Sequence, residues 1–124
     1  MPLLQRAADA GQAGGAGLGV GRAAVVQMST AVASIAENSG GGTYAYRCSK
    51  AALNMAMKSL SVDLTGKGIL VMAMHPGWVL TEMGGPNAQI STETCCSTML
   101  QTLAQLSGKD LGSFLRYNNT VIPW

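Results

Sequence analysis

Tyr46 and Lys50 stand four residues apart in the stretch Tyr44-Ala45-Tyr46-Arg47-Cys48-Ser49-Lys50. On a helix that spacing places a phenol and an ammonium on one face, one turn from each other. A free phenol gives up its proton near pH of about 10, and a neighbouring positive charge favours the phenolate. Such a pair can hand a proton to a carbonyl oxygen, or take one from a hydroxyl, near neutral pH. Tyr44 lacks this geometry, because its neighbour one turn on is Cys48. Taken alone, the pair reads equally well as a half-buried tyrosine beside a solvated lysine, so the elements around it must decide.

A helix must carry the pair, and strands must bring other polar groups to it. Ala51, Ala52, Leu53, Met55, Ala56, Leu60 and Leu64 continue a run of good helix formers. Thr43 is placed as its N-cap, and Gly66 and Gly68 as its stops. Ala23 to Met28 is a short apolar run with β-branched residues, expected to be a buried parallel strand ending at Ser29-Thr30. Ile69 to Met74 is a second such run, ending at the turn signal His75-Pro76-Gly77. Leu3 to Ala10 reads as the last turns of a helix with no cap before it. Ala31 to Gly42 and Thr81 to Ile90 read as loops. Ser91 reads as an N-cap with Glu93 in the first turn, opening a helix with Met99, Leu100, Leu103 and Leu106 at amphipathic spacing and an end near Gly108. Gly112 to Tyr117 predicts a last strand, then an Asn118-Asn119 turn and the tail Thr120 to Trp124. The alternation of strand and helix predicts an α/β fold with a parallel sheet and right-handed crossovers. No repeat and no domain boundary falls within residues 1–124.

Gly11 to Gly21 is a glycine- and alanine-rich connector. Gly15-Ala16-Gly17-Leu18-Gly19 looks like a dinucleotide fingerprint, but it precedes a strand, whereas the fingerprint follows one and opens a helix. The 124 residues suit one small domain at most, with 48% hydrophobic residues and only 11% charged; about 25% charge is usual. So little charge fits a piece of something larger, or a subunit that buries a broad face. The net charge of +2 is spread over scattered basic residues, which argues against nucleic acid. Three cysteines, an odd count without framework spacing, imply reduced thiols and a cytoplasmic setting. One histidine and no Cys-x-x-Cys argue against a metal site. The start lacks a signal-peptide core, and the longest apolar run, Ile69 to Met74, is far below the roughly 18 residues of a membrane span.

In open parallel sheets, ligands bind beyond the carboxyl ends of the strands. Here those ends deliver Ser29 and Thr30, then His75-Pro76-Gly77-Trp78-Val79-Leu80-Thr81, with Tyr46 and Lys50 on the helix between. This order of a hydroxyl residue, Tyr-x-x-x-Lys and Pro-Gly-x-x-x-Thr resembles the later half of the short-chain dehydrogenase/reductase family. The stretches Tyr44 to Lys50 and His75 to Gly85 are similar to its carbonyl reductases of the sniffer and C-factor type, and the resemblance covers Leu3 to Trp124. It implies the C-terminal half of a Rossmann-like doubly wound sheet: residues 1–124 as a partial NAD(P)-binding domain, with the first βαβ units, and the adenosine and pyrophosphate site, missing.

The resemblance also implies roles. Tyr46 is the general acid/base that protonates the carbonyl oxygen, and Lys50 assists it and bonds the nicotinamide ribose. Thr30 orients the substrate oxygen, in a position where the family carries serine; Ser29 and Ser34 are the substitutes. Pro76, Gly77, Val79 and Thr81 lie along the nicotinamide, with Val79 backbone at the carboxamide. His75 is structural, and Trp78 lines the substrate side or packs. The implied cofactor is NADP(H), with NAD(H) as the alternative, and the substrate is a small aldehyde or ketone. The intact protein is an oxidoreductase, of which this chain is a fragment, truncated isoform or incomplete gene model. The alternative is an inactive truncated chain that only associates with intact family subunits. The family's helices matching Leu3 to Ala10 and Tyr46 to Leu64 imply a homo-oligomer.

Overall fold

Leu70, Val71, Met72, Ala73 and Met74 are wholly inaccessible to solvent, and the other elements are laid around them. The computed structural model describes all of residues 1–124. Strand β2 (Leu70–His75) lies between β1 (Ala24–Met28) and β3 (Phe114–Arg116), and both pairings are parallel. Side chains alternate along a strand. Val71 and Ala73 therefore face a core closed by Ala8, Leu4, Met57 and Leu60, which come from helices α1 (Pro2–Ala13) and α2 (Tyr44–Asp63). Leu70, Met72 and Met74 face the opposite core, with Met99 and Leu103 of α3 (Thr92–Gln105) and with Leu106. A strand covered on both faces must be apolar, as this one is from Leu70 to Met74, before His75 at its end.

The two crossovers differ from the expected pair of right-handed connections. Both step in the same direction across the sheet, yet α2 and α3 lie on opposite faces. Two such connections cannot share one hand. The long segment between His75 and Thr92 gives the chain room to swing to the other face before α3 starts.

Local chemistry explains most boundaries. α1 opens on Pro2, whose fixed φ and missing N–H suit a first turn. It runs to Ala13, past the expected end at Ala10, because Arg22 folds back on it. The Arg22 guanidinium donates to the Ala8 carbonyl and to Gln12 Oε1, both at 2.8 Å. Thr43 occupies the N-cap position of α2, but its φ of 43° is left-handed and its hydroxyl makes no cap bond. Gly41 and Gly42 before it also have positive φ, so the chain enters the helix through three left-handed residues. Ser91 caps α3 as expected, its Oγ accepting from the Thr94 N–H at 3.1 Å. Leu100 is exposed, so the buried seam of α3 is Met99 and Leu103 with Cys95 and Thr102. β1 is half-buried where full burial was expected, because its edge away from β2 pairs with no strand. The tail folds back: Val121 pairs with Leu115, and the Trp124 ring stacks on Phe114 at 5.3 Å.

Met72 is fully buried in the central strand. Met72→Ala should lower unfolding stability by about 2–5 kcal/mol, measured by urea denaturation of the purified chain.

Candidate active site

The register sets the site. Met28 is paired with Met74, so Ser29 and Thr30 leave β1 level with His75 and Pro76 leaving β2. Adjacent strands are about 4.8 Å apart. α2 is tied to the same place, because the Lys50 ammonium donates to the Met28 carbonyl at 3.1 Å. Tyr46 lies one turn earlier on the helix. It is 45% exposed, and its phenol makes no hydrogen bond within the chain.

Three hydroxyls near the end of β1 were candidates to orient a substrate, and their bonding separates them. Ser29 Oγ donates to Asn54 Oδ1 at 2.6 Å. Ser34 Oγ donates to the Pro123 carbonyl at 2.5 Å and accepts from the Glu37 N–H. Thr30 Oγ1 only accepts, from the Val32 N–H at 3.4 Å, so its proton is uncommitted. The Arg47 guanidinium holds the following loop by donating to the Val32 and Gly42 carbonyls.

The segment after β2 is tightly folded. Gly77 has φ +91°, and a Cβ there would come within 2.7 Å of Ile90 Cδ1 and 3.1 Å of the Tyr117 ring. Val79 pairs with Ile90, and the Leu80 N–H donates to the Ile90 carbonyl at 2.8 Å. The Thr81 hydroxyl is used within the loop, donating to the Val79 carbonyl and accepting from the Gly84 N–H. The Val79 N–H has no partner in the chain. Trp78 donates its indole N–H to the Gly84 carbonyl at 2.7 Å, which ties it to the loop. The buried Cys95 thiol donates to the Pro76 carbonyl; burial, with Cys96 beside it, pushes this thiol up from its ordinary value.

His75 sits behind this loop. Its Nδ1 is buried without a partner. Burial first, then the nearby Arg116 charge, lower its pKa to about 4, with Glu37 opposing them. Arg116 itself bonds both Glu37 carboxylate oxygens at 2.8 Å. At neutral pH the imidazole is uncharged and has no proton-transfer partner in the chain.

Sequence reasoning did not single out Asn54, which the structure places in direct contact with Ser29. The signal was present in the spacing, since Tyr46, Lys50 and Asn54 form one stripe at four-residue steps.

The profile of the short chain dehydrogenase family matches residues 18–90. The C-signal protein of Myxococcus xanthus is 43% identical over 100 residues, covering 81% of this chain and 60% of its own. The carbonyl reductase Sniffer of Drosophila melanogaster superposes with a TM-score of 0.95 at 46% identity, over 99% of this chain and 49% of its own. The NADPH-bound carbonyl reductase from chicken fatty liver gives 0.88 at 36% identity, over 99% and 49%. The chain thus spans about half the length of the relatives it matches.

The histidine supplies a pH test. Its folded pKa, about 4, lies below its ordinary 6.5. Between these values the unfolded chain binds the extra proton, so stability rises with pH through this window and is lost as pH falls through it. His75→Asn should flatten the slope between pH 4 and 6.5, read as the difference in denaturation midpoint between variant and parent.

Proposed function

The chain belongs to the short-chain dehydrogenase family, and from that premise we propose that it forms the substrate-side half of an NADP(H)-dependent carbonyl reductase. What supports this reading is that the Lys50 ammonium is tied to the Met28 carbonyl at the end of β1, two residues before Thr30, whose hydroxyl proton is uncommitted, while Tyr46 stands one turn earlier on α2 with its phenol unbonded. Two N–H donors of Lys50 remain after its bond to Met28. Together with the Val79 N–H they suit a ligand rich in acceptors, such as a ribose and a carboxamide.

In this reading Tyr46 gives its proton to the carbonyl oxygen of an aldehyde or ketone, and takes it back when the alcohol is oxidised. Thr30 donates to the same oxygen and fixes its position. Lys50 places its charge beside the phenol and bonds the ribose hydroxyls. Pro76, Gly77, Val79 and Thr81 form the wall along the nicotinamide, where the absent Gly77 side chain keeps Ile90 and Tyr117 close behind. NADP(H), when bound, supplies the hydride; NAD(H) would supply the same chemistry. The adenosine and pyrophosphate would be held by residues outside these 124, which are then one part of a larger cofactor-binding domain. The three free cysteines fit a reducing compartment such as the cytoplasm. No helix is long and apolar enough to cross a membrane.

A second reading has its own observation. Leu3 on α1 and Tyr44, Met55 and Val62 on α2 are large apolar residues left exposed. These faces suit association with intact subunits of the same family, with no turnover by the chain itself. The two readings separate on the purified chain: saturable NADPH binding with turnover supports the first, and co-purification with a full-length relative without binding supports the second.

The roles are tested in a reductase that joins this chain to the cofactor-binding amino-terminal half of a relative. Tyr46→Phe should cut kcat by about 10²- to 10⁴-fold with little change in NADPH affinity; unchanged turnover would remove Tyr46 from the chemistry. Lys50→Ala should weaken both turnover and NADPH binding, read by steady-state kinetics and fluorescence titration.

A further inference from the structure

An asparagine buried in the middle of a helix is costly unless its amide is bonded, and asparagine is a weak helix former. Asn54 is 4% exposed in the middle of α2 and is bonded to Ser29, itself 5% exposed. A leucine or alanine would suit the helix better, so the residue breaks a local rule, and such breaks mark sites where geometry matters more than helix stability. One turn earlier, Lys50 bonds the Met28 carbonyl. Two successive turns of α2 are therefore bonded to Met28, the last residue of β1, and to Ser29, the residue after it. A single contact would let the helix roll about it. Two contacts fix both its roll and its height.

We propose that Asn54 is a positioning residue: by accepting the Ser29 hydroxyl it sets how α2 docks on the end of β1, and so sets where Tyr46 and Lys50 stand relative to Thr30. Tyr46 is the next turn of the same helical stripe, and Thr30 directly follows Ser29 beyond the end of β1. This assignment goes beyond the proposed reduction and, for its effect on turnover, rests on it. Asn54 touches no reacting group. Its influence passes through the docking of the helix.

The test separates positioning from stability. Asn54→Leu leaves the Ser29 hydroxyl buried without an acceptor and should lower the melting temperature. The double variant Ser29→Ala/Asn54→Leu removes both partners, and its melting temperature should return toward that of the parent. In the 124-residue chain, the reactivity of the Lys50 amine toward competitive acetylation reports the docking directly. It should rise several-fold in Asn54→Leu and stay raised in the double variant. Reactivity that returns to the parent value together with the melting temperature would overturn the proposal. In the joined reductase, the double variant should lose about tenfold or more in kcat with little change in KM for NADPH. Turnover is read beside Tyr46→Phe. If Tyr46→Phe is inactive and the double variant is fully active, the positioning role fails. If Tyr46→Phe is itself active, the reductase reading fails, and the acetylation result still decides how α2 is docked.

Discussion

The parallel register of β1 against β2 is the constraint on which the site depends. Met28 sits opposite Met74, and each strand leaves the sheet at the same level. A slip of one residue would turn Val25 and Val26 to the wrong faces. It would also carry Thr30 out of line with Pro76. β2 meets helices on both of its faces, and the register with β1 lies between these two packed layers. Packing in the centre of the sheet thus fixes the position of polar groups at its end.

What stands at that end is sorted by hydrogen bonding more than by residue type. Three hydroxyls lie close together, and two have given their protons to Asn54 and Pro123. Thr30 keeps its own. Among the charged groups the same sorting holds. Arg47 and Arg116 are spent on loop carbonyls and on Glu37, whereas Lys50 uses one donor and keeps two. His75 is taken out of play by burial, which with the Arg116 charge lowers its pKa to about 4. Few polar groups are left free to meet a ligand at this end, because the structure has engaged the rest.

Much of this was legible from residue order. The apolar runs at β1 and β2, the helix formers of α2 and the Ser91 cap each express local chemistry, and each formed close to its expected place. The features that escaped depend on partners distant in sequence. The length of α1 is set by Arg22 folding back on it. The idle hydroxyl of Thr43 follows from a left-handed entry shared with Gly41 and Gly42. The opposite faces of α2 and α3 follow from a long connection whose path no periodicity encodes. Of the proposed site, Tyr46 and Lys50 stand out by their four-residue spacing and Thr30 by its place after β1 in the family resemblance, and Asn54 could have been added from the same stripe. The bonding that leaves Thr30 free and commits Ser29 could only be seen once the chain was folded.

The central claim is that Thr30, Tyr46, Lys50 and the segment from Pro76 to Thr81 border one cleft that receives the nicotinamide end of the cofactor. Titrating the ¹⁵N-labelled 124-residue chain with NADPH and following backbone amide shifts tests it most directly. The account predicts that Thr30, Tyr46, Lys50, Gly77, Val79 and Thr81 shift together along one saturating curve. Shifts confined to other surfaces, or a Tyr46 that stays still while the Val79 segment moves, would contradict it.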